Sequence, residues 1–378
     1  MRFHVPTRIE WKSGALSSIE NLVRKELRAE KIFLITDKGI QDAGIAAQVL
    51  SQLENVTVFN EVEANPKHTT VNKAGELIRR IQPDLVIGLG GGSSLDTAKA
   101  VALLAENPGN IEDYEGKEKY KKPPLPVLAI PTTCGTGSEV TWVSVVTHTE
   151  RRFKMSIKGV HLFPVMALLD PNLLFSLPPP LIASTGLDAL THAVEAYTVR
   201  PATLITRMLA REAIRLIFSS IEPAFNSIKD HPQERGNMMV GSMMAGMAFG
   251  NSDVGAVHCL SESVGALHDI PHGVANSIFL PYVMEFNLPQ SQKSYAEIAR
   301  LVGIEENEDQ KAAQNLIHQI QELSQRLNIT SFQALGIGKK QFPEIAQKSV
   351  HNNSNPSNPR KAEMKDYLNI LSRAYEGS

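Results

Sequence analysis

Apolar residues along the first part of the chain follow two periods in turn. Lys31 to Thr36 carries the short run Ile-Phe-Leu-Ile and ends in Asp37-Lys38-Gly39, which predicts a buried strand followed by a turn. Val56 to Phe59 predicts a second strand. From Val71 to Gln82, the apolar positions Val71, Ala74, Leu77, Ile78 and Ile81 share one helical face. Asp84 to Leu89 predicts a strand running into a glycine-rich turn, Leu95 to Glu106 another helix, and Pro126 to Ile130 one more buried strand. Strand and helix alternating in this order imply a parallel sheet wrapped by helices.

The pattern changes at Pro178-Pro179-Pro180, which reads as a stiff break, since consecutive prolines continue neither a helix nor a ladder. Helical periodicity then dominates: Leu181 to Thr198, Leu204 to Ser219, Arg235 to Phe249, Gly255 to Leu267, Ser294 to Val302, Ala312 to Leu327 and Arg360 to Tyr375. Strand-like alternation is nearly absent. The expectation is an α/β domain with a parallel sheet over residues 1–177 and an all-α domain over 178–378. Asn352 to Arg360, rich in Asn, Ser and Pro, predicts a loop before the last helix.

A length of 378 residues also suits two domains better than one core. Hydrophobic residues at 42% and charged residues at 21% are those of a globular protein, not a disordered one. Lys plus Arg is 38 against 40 for Asp plus Glu, so the chain has no cationic surplus with which to neutralise phosphates. Nucleic acid is therefore not expected as a partner. No apolar run approaches the roughly 20 residues that span a bilayer. The opening Met1-Arg2-Phe3-His4-Val5-Pro6 lacks a signal peptide's apolar core. Two cysteines, Cys134 and Cys259, make no disulfide framework and suit a reducing compartment, so the expected location is the cytoplasm.

Two turns carry candidate binding chemistry. Gly88-Leu-Gly-Gly-Gly-Ser-Ser94 lies between a strand and a helix, where bare backbone amides can face a pyrophosphate at the helix N-terminus. Ser93 or Ser94 could cap that helix. A tight turn also uses glycine for geometry alone, and the fingerprint G-x-G-x-x-G is absent, because Ser93 stands where its third glycine belongs. Pro131-Thr-Thr-Cys-Gly-Thr-Gly-Ser-Glu139 follows the next strand with more hydroxyls than a turn requires. Two polar turns at the carboxyl ends of buried strands are what a ligand crevice in an α/β sheet needs. Asp37 can accept from an adenosine ribose and repel a 2′-phosphate, favouring NAD over NADP; it can equally be a turn-forming Asp.

In Thr185 to Tyr197, Asp188 and His192 are four apart on a predicted helix, so both project from one face and can bind one cation. More histidines stand at His258, His268 and His272. A carboxylate with imidazoles suits Fe(II) or Zn(II) with a position left open, but spacing leaves undecided which three histidines converge. Glu262 lies one helical turn after His258 in a mostly apolar segment. Glu195 and His161 read as ordinary polar residues, and the methionines between Met238 and Met247 as core filler.

Together these segments resemble the iron-containing (group III) alcohol dehydrogenase family over essentially the whole chain. The resemblance rests on G-G-G-S-x-x-D at Gly90 to Asp96, P-T-T-x-G-T-G-S-E at Pro131 to Glu139, and Asp170-Pro171. It continues in T-G-x-D-A-x-x-H-A-x-E-A-Y at Thr185 to Tyr197, the block from His258 to Pro271-His272-Gly273, and Asn358-Pro359-Arg360. It implies a dehydroquinate synthase-like fold with an N-terminal dinucleotide domain, a C-terminal helical domain and an active site in the cleft between them. The family's four metal ligands would fall on Asp188, His192, His258 and His272. Contacts to NAD(H) would fall on Asp37, Asn65, Gly91, Gly92, Ser93, Asp96, Thr132, Thr133, Cys134, Gly135, Thr136 and Lys154. Many relatives carry a histidine where this chain has Glu262, so a proton relay does not transfer unchanged. Glu262 and His268 are the candidate catalytic residues.

The activity so implied is reversible hydride transfer between NAD(H) and a small primary alcohol or its aldehyde, with Fe(II), or Zn(II), polarising the substrate oxygen. A homodimer or larger homo-oligomer is implied by the family's habit. The alternatives are a zinc glycerol dehydrogenase-like enzyme or sugar-phosphate cyclase of the same fold, a metal-dependent hydrolase, and a nucleotide-binding protein without catalysis.

Overall fold

The computed structural model describes residues 3–377 of the chain. They form two compact units: His4–Thr133 with Gly137–Leu177, and a second that holds Cys134–Thr136 and the chain from Pro178 onward.

The strands of the first unit are β1 (Arg8–Trp11), β2 (Ile32–Ile35), β3 (Val56–Phe59), β4 (Leu85–Gly90), β5 (Gly116–Lys117), β6 (Val127–Pro131), β7 (Val143–His148), β8 (Phe153–Lys158) and β9 (Met166–Leu169). Six of them make one parallel sheet in the order β1-β9-β6-β4-β2-β3. The helices of this unit are α1 (Ile19–Asn21), α2 (Lys38–Asp42), α3 (Ile45–Leu50), α4 (His68–Ile81) and α5 (Gly92–Glu106). The central strands read as unbroken apolar runs because both of their faces are covered. Phe33, Ile35 and Val86 pack with Val71, Ala74 and Ile78 of α4 and Ala98 and Val101 of α5. The alternate residues Ile32, Leu34, Leu85 and Ile87 pack with Ile45 and Val49 of α3 on the other side.

Strands β7 and β8 form an antiparallel hairpin that joins β5 in a second, three-stranded sheet. The sequence reading did not predict this hairpin, nor β1 and β9. Val143-Ser-Val-Val-Thr-His148 is only partly alternating, and β1 and β9 are four residues each, too short for a period to emerge.

The second unit is helical: α6 (Pro179–Thr198), α7 (Leu204–Ser227), α8 (Pro232–Gly250), α9 (Ala256–His268), α10 (His272–Leu301), α11 (Asp309–Arg326), α12 (Phe342–Val350) and α13 (Met364–Glu376). The proline triplet does not interrupt a helix; it starts one. Pro178 is the N-cap of α6, and Pro179 and Pro180 occupy its first turn, where a missing N–H costs nothing. Helix α6 is then buried on nearly every face from Ile182 to Thr198. Met238 and Met239 of α8 are buried packing residues. Helix α10 runs through Pro281 and Pro289, so it is far longer than the stretch from Ser294 that periodicity alone indicates. Helix α12, also not expected, buries Phe342, Ile345, Ala346 and Ser349 at helical spacing.

Helix α5 is tied to the segment after β6 by a buried ammonium. Lys99 is fully enclosed, and its Nζ donates to the carbonyls of Ser138 (2.9 Å) and Val143 (2.5 Å) and to Thr141 Oγ1 (3.2 Å), with Asp96 Oδ1 3.2 Å away. Burial, opposed by Asp96 and Glu139, pulls the Lys99 pKa below its ordinary value. Burial likewise raises the neighbouring Glu139 carboxyl to about 7, against the contrary pull of its own backbone amide and Lys99. A carboxyl whose folded pKa is raised stabilises the fold fully below its ordinary pKa of 4.5, and that contribution is lost as pH rises through about 7. The loss is on the order of 3 kcal/mol at most. Glu139→Gln should therefore flatten the decline in stability between pH 5 and 8, measured as chemical denaturation midpoints. Parallel pH profiles for the two proteins would contradict the assignment.

Candidate metal centre and dinucleotide turns

Helix α6 presents Asp188 and His192 one turn apart on the same face. Helix α9 supplies His258 from its first turn, and α10 supplies His272 as its first residue. One donor atom from each of the four lies within 4.8 Å of the others. Three of them are all but removed from water: Asp188 is 2% exposed, His192 4% and His258 3%. Only His272 keeps some access, with 24% of its side chain exposed. The close approach of α10 to α6 depends on Gly273, where a Cβ would lie 2.5 Å from the Ser184 carbonyl oxygen. Of the histidines whose convergence spacing left open, the structure gathers His192, His258 and His272. His268, at the far end of α9, is outside the group.

The arrangement holds more acceptors than donors. Asn276 of α10 directs its Nδ2 at Asp188 Oδ1 (2.6 Å), His272 Nε2 (3.1 Å) and His258 Nε2 (3.2 Å). An amide nitrogen has two hydrogens for these three atoms, and Asn276 Oδ1 finds no hydrogen-bond partner. Nδ1 of His192, also buried, has none either, and stands 3.8 Å from Asp188 Oδ1. One carboxylate and three imidazoles around a point short of positive charge are a donor set that fits a divalent cation with nitrogen and oxygen preference. Burial, and then the neighbouring His258, push the His192 pKa well below its ordinary value. His258 is raised, because Glu195, then Asp188 and Glu262, outweigh the opposing effect of burial.

Two residues around this group were not singled out by sequence reasoning. Asn276 is one. Glu195 is the other: spacing gave it no distinction, yet its carboxylate is buried and accepts from His258 Nδ1 at 2.6 Å. The signal available in the sequence was its position seven residues after Asp188, on the same face of α6. Glu262 is half-buried, and its Oε2 accepts from Asn352 Nδ2 at 2.6 Å.

A second cluster, His68, His148 and Glu150, also brings donors together. Its geometry is different. The two imidazoles stack with centroids 4.4 Å apart and planes only 24° from parallel, while both face Glu150 Oε2 at 3.2 and 3.0 Å. Unlike the four-donor group, it is open to solvent, since the Glu150 side chain is 67% exposed. This cluster is a clasp between the start of α4 and the β7–β8 turn.

In the α/β unit, the two polar turns lie side by side because β4 and β6 are neighbours, and Thr132 N donates to Gly90 O at 3.0 Å. Gly90 has φ +144°, and a Cβ there would meet Ser94 Oγ at 2.6 Å and Asp37 Oδ2 at 3.0 Å. Gly91 precedes α5, whose N-terminus, with Gly92 and Ser93 in its first turn, has no side-chain cap. Bare amides at the end of a 15-residue helix, next to Thr133, fit a pyrophosphate. Asp37 caps α2 by accepting from Ile40 N at 3.0 Å, and its other oxygen accepts from Ser94 Oγ at 3.1 Å. Asp37 is thus the turn-forming, helix-capping residue that one of its two readings expects. Asn65, with φ +51°, accepts from Lys154 Nζ at 2.9 Å. Asp96 is turned to structural partners: Ser138 Oγ at 2.5 Å, Lys99, and Val145 N at 2.9 Å. Cys134, Gly135 and Thr136 belong to the helical unit, where Gly135 lies against Thr185 and Asp188.

Residues 6–171 match the family model described as iron-containing alcohol dehydrogenase, and residues 182–375 match its Fe-containing alcohol dehydrogenase C-terminal companion. The chain is 37% identical to 1,3-propanediol dehydrogenase of Citrobacter freundii over 93% of each chain. It is 34% identical to alcohol dehydrogenase 4 of Saccharomyces cerevisiae (strain ATCC 204508 / S288c), over 99% of this chain and 98% of the relative. A solved structure of a 1,3-propanediol oxidoreductase superposes with a TM-score of 0.94 at 36% identity, covering 99% of both chains. With a parallel-sheet unit, a helical unit and an inward-facing Asp-His-His-His group, this chain belongs to the iron-containing alcohol dehydrogenase family.

Proposed function

We propose that this protein interconverts a small primary alcohol and its aldehyde by hydride transfer with NAD(H), using Fe(II), with Zn(II) as the alternative ion, held by Asp188, His192, His258 and His272. The observation that carries the reading is the convergence of these four donors on one point, three of them buried. When bound, the ion supplies Lewis acidity toward a substrate oxygen, and the nicotinamide gives or takes the hydride. Asp188 offers the one carboxylate of the set, so a divalent ion held there would keep net positive charge. His272 is the one donor of the four that keeps access to solvent.

The bare first turn of α5 at Gly91, Gly92 and Ser93 is read as the seat of the pyrophosphate. Asp37, at the end of β2, is read as the acceptor for ribose hydroxyls and as a charge that disfavours a 2′-phosphate. Asn65, Thr132 to Thr136 and Lys154 complete the proposed cofactor contacts, with Asp96 acting through Ser138 and Val145. Residues 1–177 are read as the dinucleotide domain and 178–378 as the metal and substrate domain. Among the described residues no helix is long and apolar enough to cross a membrane. A cytoplasmic location and a homodimer or larger homo-oligomer belong to the same proposal. The hydrolase alternative is less well supported, because it leaves both glycine-rich turns without a ligand.

Glu262 stands one turn beyond His258, with its carboxylate held by Asn352. It is read as a proton acceptor at its Oε1 or Oε2, or as a charge that turns away anionic substrates. His268 is placed with less, since it lies outside the four-donor group.

Metal-stripped protein reconstituted anaerobically with Fe(II) or Zn(II) should oxidise NADH in the presence of short aldehydes, and the stripped protein should not. Turnover without metal, or hydrolysis without NAD(H), would overturn the reading. Asp188→Ala or His258→Ala should lose the ion and at least about a thousandfold in kcat/KM together; full activity in either variant would sink the ligand assignment. Glu262→Gln should change the pH–rate profile and increase turnover of anionic aldehydes. If profile and substrate range both stay as in the wild type, Glu262 has neither role.

A further inference from the structure

We infer that Glu195 is a positioning residue for the metal centre: it fixes the tautomer and orientation of His258, so that Nε2 is the atom left to bind an ion. The inference rests on the proposed ligand set and adds a residue to which no role in that set has been given. Its ground is a convergence of three donors on one buried carboxylate. Glu195 Oε2 accepts from His258 Nδ1 at 2.6 Å and from the backbone N–H of Gly255 at 2.8 Å, and Oε1 accepts from Val257 N at 2.8 Å. The carboxylate is 4% exposed, so water does not compete for these bonds.

The backbone contacts matter as much as the imidazole. The first amides of α9 have no partners within the helix, and its N-cap is Gly255, which has no side chain to offer. Glu195 of α6 takes two of them, and Asn358 Oδ1 takes a third, Ala256 N, at 3.1 Å. A Cβ on Gly255 would lie 2.8 Å from Asn358 Oδ1 and 2.9 Å from Glu195 Oε1, so this cap requires glycine there. One carboxylate thus grips both the backbone of the first turn of α9 and the ring of His258, which projects from it. The ring can neither turn over nor translate without breaking a charge-assisted bond.

With Nδ1 donating to Glu195, the proton of a neutral His258 lies on Nδ1, and Nε2 presents a lone pair. Nε2 is the atom that faces Asn276, within the group of Asp188 and His272. A carboxylate behind a metal-binding imidazole also raises its basicity as a ligand. Asp188, His192 and Glu195 follow one stripe of α6, at i, i+4 and i+7. A single helical face therefore supplies two donors directly and orients a third.

The test uses the full-length protein stripped of metal and titrated with Co(II) alone, comparing wild type, Glu195→Gln and His258→Ala. Glu195→Gln keeps the volume but meets a backbone N–H with an amide. It should weaken Co(II) binding about 10–100-fold and alter the ligand-field absorption spectrum, while Glu195→Asp should recover part of both. Unchanged affinity and spectrum in Glu195→Gln, alongside loss of the ion in His258→Ala, would overturn this inference and leave the metal centre standing. Wild-type Co(II) binding in His258→Ala would instead overturn the metal centre itself. Since Glu195 also caps α9, a variant that fails to fold is replaced by a measurement on the native sequence. In zinc-loaded wild-type protein labelled with 15N-histidine, His258 should show a proton on Nδ1 and none on Nε2. A proton on Nε2 would refute the role.

Discussion

A carboxylate and three imidazoles withdrawn from water need compensating positive charge, and that requirement governs the helical unit. Burying a carboxylate is costly unless donors or cations face it. Asn276 supplies part of the need through one amide nitrogen aimed at three acceptors, which is more than it can satisfy. A proton on a histidine is the other local remedy: burial and then the neighbouring His258 disfavour it on His192, while on His258 the opposing effect of burial is outweighed by Glu195 and Asp188. A divalent ion meets the whole demand at one point. Its donors must be fixed beforehand, and the enclosed α6, the close seat of α10 on it through Gly273, and the external cap on α9 all serve that end.

The α/β unit meets a different demand with backbone rather than side chains. Its parallel strands end in two adjacent turns, and the glycines there keep the start of α5 bare. Side chains near this edge are largely engaged in fixing the turns. Asp37 joins α2 to Ser94, and Asp96 with Lys99 joins α5 to the segment after β6. A phosphate at such a site is met by amide dipoles, which need no rearrangement to receive it.

Much of this was legible in the sequence for definite reasons. Strands β2, β4 and β6 are short apolar runs because both sheet faces are covered, and helices α6, α8, α9 and α11 show period to within three residues of their ends. The pair Asp188 and His192 is visible because four residues make one helical turn. Its histidine partners come from two further helices, so their selection from His258, His268 and His272 required tertiary packing. Prolines misled twice. They began α6 rather than breaking the chain, and they sat inside α10 without ending it. Glu195 was passed over because a buried carboxylate earns its meaning from donors far along the chain, here at Gly255, Val257 and His258. The β7–β8 hairpin hid behind imperfect alternation.

The most direct test of the account is where an ion sits. Crystals of the zinc-loaded protein, measured on both sides of the zinc absorption edge, would show the metal as an anomalous difference peak. The account predicts that peak about 2.0–2.2 Å from one Asp188 oxygen and from one nitrogen each of His192, His258 and His272, with Glu195 still on His258 Nδ1. A peak beside His68, His148 and Glu150, with none at Asp188, would contradict it.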